Sequence, residues 1–112
     1  MAKMLTWAVA GLFLGVLLLG AQDAARAQLD GKKLYNDKCG LCHGPKGDGK
    51  GSGAGAYNPP PTAFNTPKFW QEDVNKKTNE SVTKGKEQMD PIKMSPEEIK
   101  AVVDYMTKTF KK

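Results

Sequence analysis

The feature that most constrains this chain is Cys39-Gly40-Leu41-Cys42-His43, which gathers both cysteines and the only histidine of 112 residues into five consecutive positions. On a helix, two thiols at this spacing stand about one turn apart. Each can add to one vinyl group of a porphyrin, and the adjacent imidazole is then held under the iron, so C-x-x-C-H reads as the attachment site of a c-type haem. Three rival chemistries fit less well. A thioredoxin-like dithiol needs a preceding strand and a βαβ setting, and neither pattern is present. A zinc site wants a fourth protein ligand, commonly from a second Cys or His pair, which the composition denies. A disulfide between such close cysteines closes a tiny loop with little entropic gain and leaves the histidine unexplained.

The N-terminus bears on where such chemistry takes place. Lys3 gives a positive start, Met4 to Ala21 runs without a charge, and Ala25-Arg26-Ala27 fits a small-residue cleavage site. This is the pattern of a secretory signal, so residues 1–27 are expected to be removed before Gln28 and the product to be periplasmic. The alternative is an uncleaved helical membrane anchor, because 18 uncharged residues reach the lower length limit for spanning a bilayer. A lipid anchor is not expected, since no cysteine closes the apolar stretch.

Residues 28–112 then form one domain with 15 Lys, no Arg and 11 acids, a net charge of +4. A chain this short seldom holds itself together by a hydrophobic core alone and usually needs a staple. Its local patterns are helical. Asp30 reads as an N-cap ahead of a short helix from Lys32 to Lys38, with Leu29 and Leu34 at staple positions. Ser95-Pro96-Glu97-Glu98 combines an N-cap, a proline at the first helical position and a capping-box glutamate, with Met94 and Ile99 as a second staple. Beyond it, Ile99, Val102, Val103, Met106 and Phe110 recur on one face while Lys100, Asp104, Lys108 and Lys111 stay off it. Asn75 to Lys84 is polar and only weakly helical, ending at Gly85.

Gly44 to Pro61 holds six Gly and four Pro in 18 residues, which predicts irregular backbone. Such a loop suits a chain that must wrap a bulky flat ligand, and the nearby Tyr57, Phe64, Phe69 and Trp70 argue against a disordered linker.

An iron held by His43 has a second axial position, for which the candidates are a thioether, a lysine amine or nothing. Met1 and Met4 leave with the signal, Met94 has a role as staple, and Met106 lies on the apolar helix face. Met89 has no other assignment and is the expected ligand, with Met94 as the alternative; its soft sulfur suits low-spin iron and raises the potential relative to a second histidine. Lys84, Lys86 or Lys93 would first have to lose a proton and its hydration. His43 should donate its free N–H to a carbonyl, which fixes the ring and its tautomer. Tyr57, Asn58 and Trp70 are candidate hydrogen-bond donors to haem propionates.

With these features in place, residues 29–112 resemble a small class I bacterial cytochrome c. The resemblance rests on Gly31 and Tyr35 ahead of the Cys39–Gly44 motif, the proline loop, Gly85, Met89 and Pro91, and the last helix with Tyr105. Asp90 stands between Met89 and Pro91, where many relatives read Met-Pro directly. The resemblance implies an all-α cytochrome c fold, with terminal helices crossing near Gly31 and Tyr35 above a loop-enclosed covalent haem. It also implies that a carbonyl of Pro59, Pro60 or Pro61 receives the His43 N–H, and that the protein carries single electrons.

No catalytic constellation appears, and Asp48, Glu72 and Asp73 read as surface carboxylates. The competing class is a gas or redox sensor with a weakly held sixth ligand; a small peroxidase would want a distal His or Arg, and residues 28–112 have neither to spare. The expected partners are redox proteins acting as donor and acceptor, met by a monomer. Lys38, Lys46, Lys50, Lys84, Lys86 and Lys93 flank the haem-binding segments and could steer docking onto an acidic surface. Nucleic acid is not an expected partner, because the chain is read as exported and haem propionates would offset its charge.

Overall fold

The computed structural model describes residues 29–112; the signal segment, its cleavage site and the alternative anchor lie outside them. Helix α1, Gly31–Lys38, starts where Asp30 accepts a hydrogen bond from the Lys33 N–H at 3.1 Å, as an N-cap should. Leu29, expected to staple onto Leu34, stays 45 % exposed, whereas Leu34 packs against the core. After a break at Cys39 the single-turn helix α2, Gly40–His43, carries the rest of the motif. Helix α3, Val74–Lys84, is capped by Asp73, which accepts from the Lys76 N–H. Helix α4, Pro96–Phe110, begins with the predicted capping box: the Glu98 N–H donates to Ser95 Oγ at 3.1 Å and the Ser95 N–H to Glu98 Oε1 at 2.9 Å.

No strand longer than an isolated bridge occurs among the described residues; Lys86 and Met89 exchange backbone hydrogen bonds of 2.8 and 2.9 Å across a tight turn. The fold is therefore all-α, as expected, with two short 3₁₀ turns at Ala54–Ala56 and Pro67–Gln71 in the connections.

Helix α1 lies across α4, and the contact requires glycine: a Cβ on Gly31 would run into the Ala101 carbonyl oxygen. One turn on, Tyr35 is fully buried against Tyr105 and Phe110, with ring centroids 5.5 and 5.2 Å away. Its hydroxyl donates to the Gly44 carbonyl at 2.7 Å, which ties the helix crossing to the end of the Cys-Cys-His turn. Helix α4 presents Ile99, Val102, Val103, Met106 and Phe110 inward, each 3 % exposed or less, and α3 adds Val74 and Val82. At about 1.5–3 kcal/mol for each fully buried large apolar side chain, this face supplies most of the packing that holds the helices together.

The glycine-rich loop is ordered by α2. The N–H groups of Gly49, Gly51 and Gly53 donate in turn to the carbonyls of His43, Cys42 and Leu41 at 2.8, 3.1 and 2.9 Å. A helix of one turn leaves its C-terminal carbonyls without partners, and here the returning loop satisfies them. The approach is so close that a Cβ on Gly51 would strike the Leu41 carbonyl oxygen, which is why this irregular stretch holds a fixed path over the motif.

Candidate cofactor site

Beneath α2 the chain leaves a cavity of about 500 Å³. Its walls come from segments spread along the chain: Cys39, Cys42 and His43 of the motif, Pro59 to Thr62 of the proline loop, Phe64 and Phe69, Thr78, Ser81 and Val82 of α3, Met89 and Ile92, and Val102 and Met106 of α4. The volume lies within the roughly 300–1,000 Å³ range of small-molecule and cofactor sites.

Both cysteines are free thiols, partly buried at the lip of α2. Burial pushes the Cys39 thiol up to about 11. Redox-active and metal-binding cysteines are instead drawn toward the thiolate by positive surroundings, so this environment speaks against a thioredoxin-like dithiol. No group of three or more His, Cys, Asp or Glu side chains able to hold a metal ion is found among the described residues.

His43 is held on two sides. Its Nδ1 lies 2.9 Å from the Thr62 carbonyl oxygen, and its ring stacks on Phe64 with centroids 4.4 Å apart and planes 21° from parallel. A carbonyl can only accept, so the proton sits on Nδ1 and the Nε2 lone pair is free to bind a metal. Burial lowers the pKa of the imidazole against the opposing pull of the Thr62 bond, which favours the neutral ring that metal binding needs. The acceptor is Thr62 and not one of the three prolines before it. Pro61 turns its carbonyl against Gly49, so the next carbonyl along the chain is the one that meets the imidazole.

Met89 is half-buried and lines the cavity from the loop between α3 and α4. Met94 packs on the core and is not part of the cavity wall. Met106, set aside in the sequence as a core residue, also lines the wall, but from the buried face of α4 and only 2 % exposed.

The three expected propionate donors separate. Tyr57 lines the cavity, and the Cys42 sulfur beside its hydroxyl raises its pKa. Asn58 stands outside the wall, and its backbone N–H donates to Gln88 Oε1 at 2.8 Å. Trp70 is also off the wall and gives its one N–H to the Phe64 carbonyl at 2.7 Å.

Of the flanking lysines, Lys38 and Lys86 line the cavity, while Lys46, Lys50, Lys84 and Lys93 do not. Sequence reasoning passed over Lys77, Thr78 and Ser81, which reach the cavity from α3. Their signal was present, since Val74, Thr78, Ser81 and Val82 fall at i, i+4, i+7 and i+8 on one helical face. Lys77 also pairs with Glu72 at 2.7 Å and sits 5.5 Å above the Phe69 ring.

These residues fit a covalently attached haem. Two thiols on consecutive turns, an imidazole with its far nitrogen free, a thioether from a separate segment and a largely apolar chamber are what such a group requires.

Comparison with known proteins agrees. Residues 26–106 match the family described as cytochrome c oxidase, cbb3-type, subunit III. The solved structure of the KustC0563 c-type cytochrome superposes with a TM-score of 0.60 at 28% identity, over 73% of this chain and 99% of that one. No curated protein sequence matches the chain.

Proposed function

Because the chain belongs to the family of cytochrome c oxidase, cbb3-type, subunit III, and is a small c-type cytochrome whose cofactor is covalently bound haem c, we propose that it is a periplasmic shuttle for single electrons. Haem in the cavity supplies an iron that alternates between ferrous and ferric states. Cys39 and Cys42 would hold it through thioethers, each S–H adding across one vinyl group so that sulfur and hydrogen go to its two carbons. His43, oriented by Thr62 and Phe64, would hold the iron through Nε2, and Met89 would offer its sulfur as the second protein ligand. Val82, Ile92, Val102 and Met106 keep water from the chamber, which limits how much the surroundings rearrange when the charge on the iron changes.

The observation that supports this reading is that Met89 and His43 line one cavity, so that a thioether and an imidazole would both be at hand to hold the iron. A carrier keeps both positions filled, whereas a gas sensor leaves one open or easily vacated. Among the described residues, no helix is long and apolar enough to cross a membrane. With the N-terminal signal cut before Gln28, the working form is a monomer that meets its redox partners by diffusion. Lys38 and Lys86 at the cavity lip orient it toward acidic surfaces on those partners.

Optical spectra of the purified protein in both oxidation states, with and without carbon monoxide, provide the test. A low-spin ferrous form that resists carbon monoxide at neutral pH is expected, together with rapid electron exchange with small mediators. Stoichiometric carbon monoxide binding overturns the carrier and favours the sensor. Transfer to an acidic partner should slow as salt rises, since exposed charges are screened beyond roughly 8 Å at physiological ionic strength; salt-independent transfer overturns the docking surface alone.

A further inference from the structure

The loop that carries Met89 is anchored unevenly. At its base the Gly85 N–H donates to Ser81 O at 2.9 Å and the Ile92 N–H to Val82 O at 2.8 Å, so both ends of the loop are tied to α3. Lys86 and Met89 close a two-residue turn, and within it Glu87 takes φ 54°, a left-handed conformation that non-glycine residues adopt only at a cost. A strained, exposed turn on one anchored side should open easily. A single bond opposes that opening: Gln88, beside Glu87 at the tip, accepts from the Asn58 backbone N–H at 2.8 Å across 30 residues of chain. Among the described hydrogen bonds it alone joins the Met89 loop to the loop on the His43 side. Four residues beyond Asn58 stands Thr62, whose carbonyl fixes the His43 imidazole. Gln88 thus links the two segments from which the axial donors are positioned.

We propose that Gln88 is a positioning residue that latches the Met89 turn onto the proline loop and keeps the sulfur in its axial place against competing ligands. The inference rests on Met89 as the sixth ligand. It makes the latch a matter of one acceptor oxygen and not of packing, because Gln88 and Asn58 are both exposed and bury little, although Gln88 also borders the cavity. Gln88→Leu removes the acceptor and brings no second thioether to the cavity wall. Gln88→Glu keeps an oxygen for the Asn58 N–H. Neither change touches the buried core, so both variants should fold and load haem.

The experiment adds imidazole to the ferric holoproteins and follows the near-infrared thioether-to-iron band as it disappears. A net hydrogen bond of ordinary strength corresponds to roughly a two- to tenfold change in an opening equilibrium. Gln88→Leu should therefore lose the band at a rate, and at an imidazole affinity, higher than wild type by roughly that factor. Gln88→Glu should stay near wild type, and the thermal midpoint of Gln88→Leu should fall by no more than the several degrees that one exposed hydrogen bond is worth. If Gln88→Leu behaves as wild type, or if both variants loosen equally, the latch is overturned. Met89→Ala, measured alongside, separates the two layers: a band that survives it overturns the ligand assignment and the latch with it, whereas a band lost there and indifferent to Gln88 overturns the latch alone.

Discussion

At the scale of single residues the site is decided by where donors and acceptors can reach. That Cys39, Cys42 and His43 form one candidate site was legible, because such chemistry depends on spacing along the chain, and the structure sets all three on the wall of one cavity. The acceptor for His43 was not, because Thr62 and the prolines before it are equivalent in sequence and only the turn of Pro61 toward Gly49 distinguishes them. Trp70, a candidate propionate donor by residue type, gives its N–H to the Phe64 carbonyl, a partner that nothing in the sequence marks. Met89 is argued by elimination among methionines, and the structure adds Met106 as a second thioether in the wall. If Met89 is the ligand, Met89→Ala should abolish the near-infrared band of the ferric protein, while Met94→Ala and Met106→Ala keep it. Met106→Ala should instead be felt as lost packing, about 2–5 kcal/mol for a buried methionine cut to alanine. A band that vanishes with Met106 and survives the loss of Met89 would move the ligand to α4.

At the scale of elements, α4 was legible at its start and along its buried face, and α3 only weakly so. The capping box at Ser95 and Glu98 has a local cause and appears as expected, whereas α3 forms a full 11-residue helix from a polar stretch that is weakly helical by propensity. Its stability comes from Val74 and Val82 packing on the rest of the core, an effect of tertiary context. Ser95→Ala should cost about 1 kcal/mol by leaving the Glu98 N–H without its cap, read as a lower thermal midpoint. The Ser95 backbone bond also holds the Glu98 carboxyl below its usual pKa. A lowered carboxyl pKa contributes stability above the unfolded value, near ~4.3, and loses it as pH falls through the folded value. The stability difference between wild type and Glu98→Gln should therefore be constant above about pH 5 and shrink on acidification; a difference flat down to pH 2 would contradict the bond. The α1–α4 crossing gives a second element-scale test. Gly31→Ala places a methyl group on the Ala101 carbonyl, and overpacking of this kind costs roughly 1–3 kcal/mol. Any gain from alanine's better helix propensity is under about 1 kcal/mol, so a variant more stable than wild type would show that the helices do not meet there.

At the scale of the whole molecule, the question is what fills the middle. The buried hydrophobic core of the described residues comprises Tyr35, Phe69, Val74, Val82, Ile99, Val102, Val103, Met106 and Phe110, and most of these gather on the α4 side. Between that layer and the proline loop lies the cavity of about 500 Å³. A sealed void of this size, at ~24 cal/mol per Å³, would cost on the order of 10 kcal/mol, as much as the entire stability of a small domain, ~5–15 kcal/mol. An open, wetted chamber costs less, and Val82, Val102 and Met106 in its wall are already 4 % exposed or less. The half-buried Phe64, Met89 and Ile92 of the same wall would gain apolar partners when haem is covalently seated, so attachment and folding should be one cooperative event. Replacing Cys39 and Cys42 by Ala removes both tethers at the packing cost of one sulfur, that of Cys39 at the edge of the core. Its consequence should therefore be read in the fold: far-ultraviolet dichroism near that of an unfolded chain, rapid proteolysis, and recovery only to the extent that added haem is retained by His43 and Met89. Single Cys→Ala variants, each keeping one thioether, should fall between the double variant and wild type. A double variant that is soluble, fully helical and cooperatively folded without haem would show that the α1–α4 layer suffices alone, and that the cavity is a tolerated hollow and not a missing part of the core.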